Sequence, residues 1–251
     1  ISQSGGNISS NSQLQNQSFD SSSSELLTQS SDEFYSYLDL IQNKSIDKEK
    51  VQTDLNSLSS DFEREFLSAL LNKRSGEFKN SFKQLFSLLT HYPSQLRYYE
   101  ELSSLAKISG NLNELSKWLE TNKEKSAEPY YVYLDGLIEL NRGNTSAAIE
   151  KIQSLTKKGF ESKEIYYQLA YSFRIVGDND ASYKNLIEAA KLCSGEDVFL
   201  SKINNLKGTI FYLSGDYARA KKEYESALRL SECNGNRVEE IKAIANLAII
   251  K

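Results

Sequence analysis

Residues 208–227 read GTIFYLSGDYARAKKEYESA. Large apolar residues recur at helical spacing on both sides of Gly215, and Asp216 follows the glycine directly. A glycine at that point supplies the positive φ that ends one helix, and an aspartate starts the next. The small residues Gly208, Ala220 and Ala227 stand where two antiparallel helices must approach closely, with Phe211 and Tyr224 as large partners. The stretch predicts a helical hairpin.

The same pattern recurs upstream. Glycines fall at Gly76, Gly110, Gly143, Gly177 and Gly215, with spacings of 34, 33, 34 and 38 residues. A period in this range marks a solenoid of stacked units. Each glycine separates two apolar-periodic segments, as in LLNKRSGEFKNSF, LAKISGNLNEL, IELNRGNTSAAI and FRIVGDNDASY. Seven residues before each lies a small residue: Ala69, Ser103, Gly136, Ala170 and Gly208.

These segments resemble tetratricopeptide repeats, which carry small residues at positions 8, 20 and 27, glycine at 15 and a large apolar residue at 24. The repeat from Ser201 matches at Gly208, Gly215, Ala220, Tyr224 and Ala227, and the one from Lys163 at Ala170, Gly177 and Ala189. Further copies start at Phe62, Leu96 and Pro129; Leu115 replaces the small residue at position 20 of the copy from Leu96. The resemblance implies an all-α fold, a right-handed α-solenoid of antiparallel helix pairs whose first helices line a concave face. Residues 31–251 are assigned to it. Within them, 31–58 form a degenerate hairpin or cap, and 236–251 the first helix of an incomplete repeat or a C-terminal cap.

Residues 1–30 differ in kind. Ser, Gln, Asn, Gly and Thr make up 22 of the 30, so the segment has too little apolar surface to offset its ordering entropy and reads as a tether or linker. The sequence starts at Ile1 and holds no Met. Together with the polar tail this resembles a bacterial lipoprotein, with a lipid anchor before Ile1 and a place in the cell envelope. A linker in a larger cytoplasmic protein is the alternative.

Composition narrows the function. A net charge of −4 and a pI near 5.3 oppose nucleic-acid binding, which rests on basic surface. One His and two Cys leave no His-rich or Cys₄ metal site. No phosphate-binding loop, dinucleotide fingerprint or nucleophile elbow occurs. The segment GDNDAS at 177–182 reads as a helix-capping turn and not a calcium loop; His91 reads as a surface or capping residue. Trp118 reads as core, and Cys193 and Cys233 as free thiols. No run of apolar residues is long enough to span a membrane. No enzyme and no cofactor are expected.

Reading the family's groove positions off three first helices gives Tyr130, Tyr133 and Leu137, then Tyr167, Tyr171 and Arg174, then Lys202, Asn205 and Tyr212. Tyrosine offers broad contact area at low entropy cost, which suits recognition. These residues are expected to form a partly exposed face for a peptide or helix of a protein partner, with Arg174 and Lys202 favouring an acidic segment. The carboxylate clamp of chaperone-binding repeats is not matched, because Leu206 and Tyr167 stand where that set needs polar or basic residues. Two other readings stay open: a structural subunit, associating through the apolar C-terminal helix, and a regulatory fragment of a larger enzyme.

Overall fold

The computed structural model describes residues 32–43, 47–122, 124, 128–195 and 197–250; the tether read over 1–30 lies outside them. The first described hairpin comprises α1 (Asp32–Asn43) and α2 (Lys48–Leu55). Five antiparallel pairs follow: α3 (Asp61–Arg74) with α4 (Phe78–His91), α5 (Arg97–Ser109) with α6 (Leu112–Thr121), α7 (Pro129–Arg142) with α8 (Thr145–Lys157), α9 (Lys163–Ile175) with α10 (Asn179–Lys191), and α11 (Val198–Leu213) with α12 (Tyr217–Cys233). A single helix, α13 (Arg237–Ile249), follows them.

One turn is used five times. Gly177 and Gly215 have φ of +85° and +81°, and the other three hairpin glycines share the conformation. After each glycine, the next N–H donates to a carbonyl five residues back. Asp178 thus reaches Phe173, and Asp216 reaches Phe211, both at 2.9 Å. This closes the first helix with a Schellman motif. The carboxylates of Asp178 and Asp216 then accept from the N–H groups of Ala181 and Arg219, also at 2.9 Å, and open the second helix. GDNDAS is therefore a capping turn.

Close approach explains the small residues. A Cβ on Gly208 would lie 2.5 Å from the Tyr224 ring, and one on Gly136 would lie 2.5 Å from Ile152 Cγ1. Position 8 thus packs on position 24 across the hairpin. Where position 20 is serine, its hydroxyl has a buried partner: Ser81 donates to the Ala69 carbonyl at 2.6 Å and Ser182 to that of Ala170 at 2.7 Å. In the pair α5–α6, the larger Leu115 is fully buried at this position, and the two helices pack less closely than in the other four pairs.

The core runs continuously from Phe34 through Leu67, Leu85, Leu105, Leu134 and Ile152 to Leu169. Tyr167, Leu186, Ile203 and Ile210 extend it, and Phe211, Ala220 and Tyr224 form its last cluster, against which Leu247 and Ile250 of α13 pack. Trp118 is half-buried, stacked on Tyr131 at 5.4 Å and edge-on to Phe86, so it joins three repeats. Among the described residues, no helix is long and apolar enough to cross a membrane.

Candidate functional site

The first helices α5, α7, α9 and α11 lie in sequence along the concave side. Each contributes the fifth residue of its repeat to the centre: Glu100, Tyr133, Tyr167 and Asn205. This centre is closed. Tyr133 is wholly buried, Tyr167 is 9% exposed and Asn205 is 5% exposed. The exposure expected of Tyr133 and Tyr167 is thereby corrected, because each ring packs on the first helix of an adjacent repeat, Tyr133 on Tyr99 and Tyr167 on Phe199.

The contact that closes it is an ion pair. Lys202 Nζ lies 2.5 Å from Glu100 Oε2, joining residues 102 apart in sequence. The ammonium also sits over the Tyr167 ring, 4.3 Å from its centroid, and 5.0 Å from that of Phe199. Such a cation–π seat is attractive, the more so when desolvated. Burial alone would lower the Lys202 pKa, but the carboxylates of Glu100 and Glu239 and the Tyr167 ring site hold the charge, and it is raised. Burial pushes the Tyr133 hydroxyl up, reinforced by Glu100 and Glu164. Burial likewise raises Tyr167, against the opposing charge of Lys202. Lys202 therefore does not flank an open face; its acidic counterpart is internal.

Asn205 is spent on the next helix. Its side-chain amide donates to Glu239 Oε2 at 2.8 Å and to the Glu239 carbonyl at 3.0 Å, docking α13 on α11. Glu239 also accepts from Lys242 at 2.5 Å. Tyr130 is half-buried, edge-on to Phe160 at 5.4 Å. Leu137 is buried.

The remaining groove residues lie at the hairpin-turn rim. Tyr171 is 36% exposed, with the Arg174 guanidinium stacked 5.1 Å from its ring centroid. Arg174 makes no ion pair among the described residues, and its Nε is buried without a hydrogen-bond partner. Tyr212 is half-buried against Tyr217, at 5.4 Å. Around them Ile175, Val176, Leu213 and Tyr217 are exposed on the ends of α9 and α11 and the start of α12. Together these residues make an apolar rim, with Arg174 beside Tyr171 free of an ion pair among the described residues.

Sequence reasoning missed Glu100. The signal was available: it occupies the same groove position in the copy from Leu96 as Tyr133 and Tyr167 do in theirs. His91 is exposed at the end of α4, its Nδ1 3.0 Å from the Ser87 carbonyl. Cys193 and Cys233 are free, and burial followed by Asp197 pushes the Cys193 thiol up to about 11, away from reactivity.

No family model and no curated protein matches the sequence. Solved structures do resemble the fold. A chain of the APC/C hetero-tetramer Cut9–Hcn1 superposes over 80% of this chain with a TM-score of 0.54 at 15% identity; this chain spans 41% of its length. A tetratricopeptide repeat protein from Parabacteroides merdae ATCC 43184 superposes over 84% of this chain and 83% of its own, with a TM-score of 0.53 at 16% identity. Glycine-closed hairpins, small residues at the crossing and these two structures agree on the architecture: the chain has the all-α solenoid fold of tetratricopeptide-repeat proteins.

Proposed function

We propose that the protein is a non-enzymatic interaction scaffold that binds an apolar segment of a protein partner along the rim formed by α9, α11 and the start of α12. One observation carries this reading: Tyr171, Ile175, Val176, Leu213 and Tyr217 are all at least 36% exposed at the ends of α9 and α11 and the start of α12, and Arg174, stacked on Tyr171, has no carboxylate partner among the described residues. Contiguous exposed apolar surface with a polar edge is what recognition sites present. The unpaired guanidinium favours an acidic residue beside the apolar segment. The binding face expected from sequence thus shifts from the axis of the groove to its edge.

Truncating an aromatic at a binding hot spot costs about 2 kcal/mol or more. Tyr171→Ala should therefore weaken capture of the partner from a cell extract at least tenfold. Its melting temperature should stay at the native value. Undiminished capture by both Tyr171→Ala and Leu213→Asp would place the partner elsewhere.

A second reading rests on α13. Val238, Ile241, Ile244 and Ile249 are 46–61% exposed on one broad stripe of this helix. That face supports a structural subunit whose α13 packs in a larger assembly.

A further inference from the structure

Building on the scaffold reading, we infer that the Glu100–Lys202 ion pair is a latch that holds the concave face shut, and that releasing it uncovers the Tyr167 ring.

Topology is the first argument. In a solenoid each repeat contacts its neighbours, and stability comes from those interfaces. The repeats that carry α5 and α11 are separated by two others, so their ion pair adds nothing to neighbour stacking. It fixes only the curvature. A second contact acts in the same sense, since α1 packs against α13 and brings the two ends of the described solenoid together.

Energetics is the second. The Lys202 and Glu100 side chains keep 22% and 23% of their surface exposed, and a partly solvated ion pair is weak as a source of stability, because water screens it and the desolvation it does suffer offsets its attraction. This one is also incompletely satisfied. Glu100 Oε1 and the Tyr133 hydroxyl beside Glu100 are buried without an aligned hydrogen bond among the described residues, and so is Asn205 Oδ1. Opening the groove would hydrate those oxygens and both charges, which offsets the loss of the bond. A network left part-satisfied in the closed state is poised for exchange, whereas a fully satisfied one would lock it.

The seat is the third. The Lys202 ammonium rests on the Tyr167 and Phe199 rings, 4.3 and 5.0 Å from their centroids. Breaking the pair frees the lysine to swing out and bares the Tyr167 face. The latch and the hidden aromatic surface are therefore one device.

The test uses the free protein, with small-angle X-ray scattering for overall dimension and reductive methylation with formaldehyde and borohydride for lysine access. In the native chain Lys202 should react at least tenfold more slowly than the exposed Lys221. In Glu100→Gln, Lys202 should approach the Lys221 rate and the maximum dimension should increase, with helicity by circular dichroism unchanged. Lys202→Met, which keeps an unbranched stem and removes the charge, should show the same expansion. A native-sized Glu100→Gln with Lys202 still protected would overturn the latch. Loss of helicity in both variants would also overturn it, by showing that the contact is ordinary core. Neither readout involves a partner, so the scaffold reading stands or falls separately, on capture by the Tyr171 variant.

Discussion

The hydroxyl of Ser182 on α10 donates a 2.7 Å hydrogen bond to the carbonyl of Ala170 on α9, inside the crossing of the two helices. Alanine occupies the same place in two other hairpins, at Ala148 and Ala220. The site therefore accepts a methyl, and the serine adds only its hydrogen bond. Ser182→Ala should lower stability by about 1 kcal/mol, the net worth of one intramolecular hydrogen bond. Urea unfolding at constant m-value reads this, and a loss several times larger would mean that the hydroxyl organises the crossing.

Gly208 tests the crossing from the other side. In Gly208→Ala the added methyl meets the buried Tyr224 ring at 2.5 Å. Overpacking of this kind costs about 1–3 kcal/mol, against roughly 1 kcal/mol gained in helix propensity. The urea midpoint should fall. A rise would show that the ring moves aside without strain.

Gly177→Val isolates backbone strain, because nothing lies within 4 Å of a Cβ at that position while φ is +85°. The strain is about 1–3 kcal/mol. Coupling between nearest neighbours confines the damage, so amide hydrogen exchange should accelerate first in α9, α10 and α11. Uniform acceleration along the whole chain would contradict repeat-by-repeat coupling.

Alkaline pH should unfold the protein. Burial raises the hydroxyls of Tyr98, Tyr133 and Tyr167 above their ordinary value, and the ion pair raises Lys202. In the unfolded chain these groups lose protons at about pH 10, while the folded chain keeps them. The folded state then binds more protons, so stability falls as pH rises above about 10 and is unaffected by these groups below it. Phenolate absorbance should rise together with loss of helicity, in one transition. A smooth titration of all tyrosines with helicity intact would contradict their burial.

Much of the architecture was legible in the sequence because it is set locally. The glycine turns need positive φ, the capping aspartates need a free N–H three residues on, and Gly208 needs room for Tyr224. Each requirement leaves its mark within one repeat. The closure of the concave face was not legible, because it depends on curvature accumulated over several repeats. Tyr133 and Tyr171 look alike in sequence, both tyrosines at groove positions of consecutive copies. One is wholly buried beside Glu100, and the other is 36% exposed at the rim. Tyr133 is the fifth residue of its copy, at the closed centre with Tyr167 and Asn205, whereas Tyr171 is the ninth, nearer the turn rim. Glu100 escaped notice for a related reason: its own copy, with Leu115 at the crossing, matches the repeat pattern loosely, and its partner Lys202 is 102 residues away.

The concave axis of the solenoid is filled by its own side chains, which leaves the rim as the proposed recognition surface. Tyrosine nitration of the native protein, read peptide by peptide in a mass spectrometer, tests it most directly. Tyr217 and Tyr171, which are 54% and 36% exposed, should be modified rapidly, while Tyr133, Tyr167, Tyr98 and Tyr99 should stay protected until the protein unfolds. Modification of Tyr133 and Tyr167 at the rate of Tyr171, with helicity retained, would show an open groove and contradict the account.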